Sequence, residues 1–230
     1  MDLLRLPVEV ELTILISLRV TLLAFYIYVI LKNKIKIFGN NSIKELLIFL
    51  PFFLICFSNV FASLIYGGFV GPSSNGLVLF LKILLCLFGA ILEEILFRLF
   101  IQNALVKYRP IGRIILSALI FALCHLINAA NARSVDAFVN VLLQTVYTFG
   151  FGLIIAFIYE YSHSLIFVTI LHFVFNLFND VLYQFFGGYT STLVFILGGL
   201  VSFILVFGYG LFLYKYKFQN RNVKNEVNWS

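Results

Sequence analysis

Long apolar runs, separated by short polar or basic stretches, dominate the chain. A helix needs about 20 apolar residues to cross the hydrocarbon core of a bilayer. Seven runs reach or approach this length, at residues 12–31, 43–66, 77–106, 111–127, 137–159, 164–186 and 191–214. Because these runs are continuous rather than alternating, they indicate helices and not the strands of a barrel. The pattern predicts an all-α fold: a polytopic membrane helix bundle of about seven transmembrane helices.

The composition supports this interpretation. The chain is 62% hydrophobic and only 11% charged, with a mean hydropathy of +1.05. Soluble domains are about 45–50% apolar, and a chain of this length could not bury so much apolar surface in its own core. We therefore expect residues 1–230 to form one membrane domain in contact with lipid. The first run contains Arg19 and has no small-residue cleavage site, so we expect a retained span rather than a signal peptide.

Basic residues indicate how the bundle is oriented. With seven crossings, most of them fall on one side: Lys32, Lys34, Lys36, Lys44, Lys107, Arg109, Arg113, Lys215, Lys217, Arg221 and Lys224. Loops rich in lysine and arginine stay in the cytoplasm. The N-terminus is therefore predicted outside, and residues 215–230 form a cytoplasmic polar tail. We interpret the net charge of +6 as a topology signal beside anionic lipid, and expect no nucleic-acid partner.

Six polar residues stand inside three of the apolar runs. They are Glu93, Glu94 and Arg98 in the third run, His125 in the fourth, and His172 and Asn176 in the sixth. A charged side chain at the bilayer centre costs roughly 2.5–3.5 kcal/mol or more, so such residues are usually functional. All three helices carry these groups to similar depth. The sequence predicts one shared, water-accessible polar site, with the Glu93 and His125 side chains about 4–6 Å apart.

The helical period separates the roles of the two adjacent carboxylates. Glu94 and Arg98 are four residues apart, so they share a helix face and are expected to pair. Glu93 points about 100° away and is left free to act as a general base. His172 and Asn176 also share a face, and Phe121 is expected to pack beside His125 for the same reason.

The stretches "EEILFR", "FALCH" and "HFVFN" match the three motifs of the CPBP family, written EExxxR, FxxxH and HxxxN. The chain thus resembles a family that includes CAAX-prenyl endopeptidases as well as the Abi and bacteriocin-immunity proteins of bacteria. The resemblance covers residues 80–180, which form the core that carries the motifs, with each motif on its own predicted span.

The resemblance implies an intramembrane endopeptidase that cleaves a membrane-bound or lipidated peptide or protein. In that family, the residues matching Glu93 and His125 activate a water molecule, and those matching His172 and Asn176 form an oxyanion hole. The residues matching Glu94 and Arg98 support the site. The short loops and small size are typical of a bacterial plasma-membrane protein.

Two aspects of the chemistry stay open at this stage. Glu93, His125 and His172 together are a ligand set that zinc could use, but a glutamate mechanism without metal fits equally well. A non-catalytic immunity or regulatory scaffold of the same fold is the main functional alternative. A proton-coupled transporter is disfavoured, since the sequence shows no inverted repeat.

Other residues receive structural interpretations. Asp180 is expected to be an interfacial carboxylate, and Glu160 and His163 to be solvated in the turn "YEYSHS". Gly150 and Gly152 are expected to permit close helix packing, and Arg19 to pair or to reach the membrane surface.

Overall fold

The computed structural model of the protein describes residues 6–35, 46–57, 68–72, 74–182 and 204–215, together with residues 37, 60 and 185. Every regular element within these ranges is helical. The predicted all-α class is therefore confirmed.

Seven helical segments follow one another in the described residues. They are α1 (Val8–Lys32), α2 (Leu47–Phe57, of 3-10 type), α3 (Gly76–Glu94), α4 (Pro110–Cys124), α5 (Val135–Ser162), α6 (Leu165–Asn176) and α7 (Ile204–Leu213). Three of them continue in another helical geometry: α3 as a π-helix over Ile95–Gln102, α4 as a 3-10 turn over His125–Asn131, and α6 as a π-helix over Leu177–Val181.

Four helices are long and apolar enough to cross a membrane: Val8–Lys32, Gly76–Gln102, Pro110–Ala130 and Val135–Ser162. They correspond to four of the predicted spans, and the membrane helix bundle is confirmed. The apolar helices α2, α6 and α7 are shorter, and parts of the predicted spans 43–66, 164–186 and 191–214 lie outside the described residues. The number of seven crossings stays a prediction.

Side-chain caps and a proline set the beginnings of the helices around the site. Asn75, Ser134 and Ser164 each accept a hydrogen bond from a backbone N–H in the first turn of α3, α5 and α6. Pro110 occupies the first turn of α4, where its missing N–H costs nothing. Because Ser134 caps α5, residues 135–140 form the first turns of that helix.

The helices α3 to α6 pack around a core rich in phenylalanine. α4 lies along α5, and α3 contacts both α1 and α6. A Cβ atom on Gly152 of α5 would come within 3.0 Å of the Phe121 ring and 3.3 Å of the Ala118 backbone in α4. The expected close packing at Gly152 is therefore confirmed, because even a methyl group there would press on both neighbours.

Arg19 reaches α3 from the middle of α1. Its Nη1 atom donates a hydrogen bond to the carbonyl oxygen of Leu85 and lies over Gly89, where a side chain would collide with the guanidinium group. The expectation that Arg19 finds a partner within the protein is confirmed.

Candidate active site

Glu94 and Arg98 form a fully buried ion pair on α3. Arg98 Nε lies 3.0 Å from Glu94 Oε2, and both side chains are 0% exposed. The guanidinium Nη1 also donates to Ser117 Oγ of α4 at 2.7 Å, and the same hydroxyl donates to the Phe97 carbonyl. The pairing expected from the helical period is confirmed, and Ser117 ties it to a second helix.

His172 brings α6 to the same carboxylate. Its Nδ1 atom lies 2.6 Å from Glu94 Oε1, and the ring is buried. A carboxylate accepts hydrogen bonds, so Nδ1 carries the proton and Nε2 points elsewhere. The two oxygens of Glu94 therefore have different partners: Oε2 binds the Arg98 guanidinium, and Oε1 accepts from the His172 Nδ1–H.

Glu93 lies on the other side of the His172 ring. Its Oε2 atom is 3.8 Å from His172 Nε2, which is longer than a hydrogen bond. The Glu93 side chain is 33% exposed, in contrast to the fully buried Glu94. The two carboxylates thus have different surroundings, as the helical period predicted: Glu94 is engaged, and Glu93 is accessible.

Phe121 connects the two histidines. Its ring centroid lies 4.9 Å from that of His125 and 5.9 Å from that of His172, with edge-to-face geometry in both cases. The Arg98 guanidinium lies over the same ring at 5.4 Å. The expected contact of Phe121 with His125 is confirmed. Its contact with both rings places the histidines near each other; the Glu93–His125 separation stays a prediction.

The half-buried His125 ring is oriented by its own helix. Its Nδ1 atom lies 2.9 Å from the Phe121 carbonyl oxygen, and a carbonyl can only accept. Nδ1 therefore carries the proton, and the lone pair is on Nε2. A histidine in this state can accept a proton from water.

Asn176 follows His172 by one turn at the end of α6 and is half-buried. Beside it, the Phe151 ring packs against His172 at 5.2 Å and stacks on Phe175 at 4.1 Å. These aromatic contacts fix the face that α6 presents to α3 and α5. Asn176 shares a helix face with His172 by its spacing of four residues, and its place in the site stays a prediction.

The prediction for Glu160 is wrong. Glu160 is only 8% exposed, pairs with Arg113 of α4, and accepts a hydrogen bond from Gln102 Nε2 at 3.1 Å. The end of α5 packs against α3 and α4, and this packing removes Glu160 from water. The polar residues of the surrounding turn had instead indicated an exposed position. His163 is exposed, as expected, whereas the interfacial position of Asp180 stays a prediction.

Sequence reasoning missed several buried polar residues, among them Ser117, Gln102 and Asn179. The buried Asn179 donates to the Phe175 carbonyl at 2.8 Å and to the Cys56 carbonyl of α2 at 3.4 Å, and so ties α6 to α2. Each is an uncharged polar residue in a mainly apolar helix. That signal was available, but it does not separate a residue near the site from one that joins helices.

The zinc ligand set considered from the sequence is not assembled. Within the described residues, no three His, Cys, Asp or Glu side chains are arranged to hold a metal ion. Two of the three candidate ligands lie near each other, since His172 Nε2 is 3.8 Å from Glu93 Oε2, and Glu94 holds the other nitrogen of the ring. Binding of a metal by Glu93, His125 and His172 therefore stays a prediction.

The fold and the site define a helical membrane protein with a buried carboxylate–histidine centre. Residues 75–178 match the model of the family described as type II CAAX prenyl endopeptidase Rce1-like, and this match contains all three motifs. The family prediction made from those motifs is confirmed, and it indicates a protease. No curated protein and no solved structure gave a significant match.

Proposed function

We propose that the protein is an intramembrane endopeptidase that hydrolyses a peptide bond with Glu93 as general base. The observation that carries this proposal is the position of His172 between two carboxylates, with Glu94 on Nδ1 and Glu93 facing Nε2. One carboxylate orients the ring, and the other stays accessible at the place where a substrate would contact it.

Glu93 and His125 together activate the water molecule that attacks the peptide bond. An accessible carboxylate can take a proton from water, and the Nε2 lone pair of His125 can accept a hydrogen bond from the same water. The resulting hydroxide attacks the scissile carbonyl carbon, and the proton taken by Glu93 passes to the leaving amine. Each of these steps uses only side chains of this protein and one water molecule.

His172 and Asn176 stabilise the oxyanion of the tetrahedral intermediate. To donate from Nε2, His172 must carry a second proton. With that proton, the two positive groups, Arg98 and His172, balance the carboxylates of Glu93 and Glu94, so the four side chains together have no net charge. This balance favours the donating form in a medium where an isolated charge is costly. The Asn176 amide supplies a second donor from the same helix face.

The substrate class follows from the surroundings of the site. The family match supports a membrane-associated protein or peptide, and the motif-bearing helices lie among spans that only lipid can cover. We propose a bacterial plasma membrane location with the N-terminus outside and residues 215–230 in the cytoplasm. A reporter fused after residue 225 should be active only inside the cell, and an external signal would contradict this topology.

The decisive experiment is a cleavage assay with purified protein in lipid nanodiscs and membrane-anchored peptide libraries. The wild type should cleave at least one sequence, and Glu93→Gln should lower the rate about 10²–10⁴-fold with an unchanged thermal denaturation midpoint. Glu9→Gln, on a carboxylate at the start of α1, is the matched control and should keep full activity. Equal rates for wild type and Glu93→Gln would refute the proposal.

A further inference from the structure

A row of buried polar side chains continues from the catalytic centre along one face of α3. Glu94, Arg98 and Gln102 follow one another at intervals of four residues and are 0%, 0% and 1% exposed. The row extends about 12 Å along the helix, at a rise of about 1.5 Å per residue. Its last two members belong to the π-helix Ile95–Gln102, a geometry often found at functional sites.

Two hydrogen-bonded groups lie along this row. The first contains His172, Glu94, Arg98 and Ser117. The second lies near the turn that joins α3 to α4 and contains Gln102, Glu160 and Arg113. Gln102 also donates to the Ala156 carbonyl at 3.0 Å. Along α3, Arg98 is therefore the member of the first group that lies nearest to the second group, and Gln102 is the member of the second group that lies nearest to Arg98.

Each group ends in a buried polar atom that lacks a partner among the described residues. Arg98 Nη2 is a donor without an acceptor, and Gln102 Oε1 is an acceptor without a donor. Arg113 Nε, in the second group, is a further donor of this kind. Buried polar atoms nearly always have a hydrogen-bond partner, either protein or ordered water. Arg98 and Gln102 are four residues apart on one helix, so their side chains are neighbours, and one water molecule can bridge such neighbouring polar groups.

We propose that a buried water molecule binds between Arg98 Nη2 and Gln102 Oε1. It accepts from the guanidinium, donates to the amide oxygen, and joins the two groups into one continuous hydrogen-bond chain. The site has the donor, the acceptor and the full burial that a structural water requires. Apolar and charged ligands are unsuited to it, since one side chain donates and the other accepts.

The consequence is that Gln102 is a positioning residue for the centre. Through the water, Gln102 restrains the Arg98 guanidinium. Arg98 pairs with Glu94, and Glu94 accepts the hydrogen bond that orients His172. This role rests on the proposed function, whereas the water site itself does not. The catalytic histidine is thereby coupled to the Arg113–Glu160 pair at the α3–α4 end of the bundle.

The first test is a structure of the protein in nanodiscs at a resolution that shows ordered water. Density within hydrogen-bond distance of both Arg98 Nη2 and Gln102 Oε1 is expected in the wild type and should be lost in Gln102→Met, which keeps the side-chain volume. A map in which the two atoms bond directly to protein would overturn the water site. This result does not depend on proteolysis, so it remains decisive even if no substrate is cleaved.

The second test separates positioning from mere stability. Gln102→Met should lower kcat about 10-fold, as small displacements at a catalytic centre do, with KM unchanged. The control is Asn103→Leu, which removes the neighbouring hydrogen bonds to the Leu99 carbonyl and to Tyr159 Oη but leaves the row intact. It should keep kcat within twofold. A Gln102→Met enzyme with wild-type kcat and only a lower denaturation midpoint would refute the positioning role.

Discussion

His172 Nδ1 and Glu94 Oε1 lie 2.6 Å apart although the two residues are separated by 78 positions in the chain. The other oxygen of the same carboxylate holds Arg98 at 3.0 Å. Glu94 is consequently the residue through which α3 orients α6, and Glu93 is left accessible beside it. This division of labour between adjacent carboxylates determines what each substitution should do.

Glu94→Gln should damage folding as well as activity. The change leaves the buried Arg98 without its counter-charge and weakens the hold on His172. Removing one partner of a buried pair typically costs about 3–5 kcal/mol. We expect poor accumulation and a clearly lower thermal denaturation midpoint, measured beside Glu93→Gln, which should melt like the wild type. A stable, inactive Glu94→Gln beside an unfolded Glu93→Gln would reverse the two assignments.

The double variant Glu94→Gln, Arg98→Met should recover part of the lost stability. Removing both members of a buried ion pair leaves no isolated charge, and this is gentler than removing one. Activity should stay low, because His172 still lacks its carboxylate. The measurement is the denaturation midpoint of the double variant against both single variants. A double variant no more stable than Glu94→Gln would show that the pair is not the source of the damage.

His172→Ala and Asn176→Ala should each slow cleavage about 10²–10³-fold if they hold the oxyanion. The effect should fall on kcat rather than on KM, since these donors act mainly in the transition state. Phe173→Ala provides a control on the same helix turn that carries no polar group. Steady-state kinetics on all three variants decides the matter, and a pure KM effect would argue for substrate binding instead.

Gly152→Ala should disturb the site from a distance. The added Cβ would press on the Phe121 ring, which contacts both histidines, and on the backbone of Ala118. Overpacking of this kind costs about 1–3 kcal/mol. Gly112→Ala, whose Cβ would meet only the Tyr108 Cβ at an ordinary 3.5 Å, should be neutral or slightly stabilising. Denaturation midpoints and cleavage rates of the pair test this, and equal behaviour would contradict it.

The local features of the site could be predicted from the sequence. The pairing of Glu94 with Arg98 and the contact of Phe121 with His125 depend only on a spacing of four residues in a helix. The prediction for Glu160 was wrong, because its burial depends on how the end of α5 meets Gln102 of α3 and Arg113 of α4. The helical period of a single segment does not contain information on such contacts between helices.

The sequence by itself determined the membrane class, the helical class and the set of polar residues inside the spans. It could do so because apolar length and helical period are properties of short segments. Only the tertiary structure decided that His172 binds Glu94 with Nδ1 and faces Glu93 with Nε2, and that Ser117 joins Arg98 to α4. These contacts depend on the rotation and translation of α3, α4, α5 and α6 relative to one another. Those positions follow from packing at places such as Gly152 and Phe151, where residues distant in the chain fill the same space.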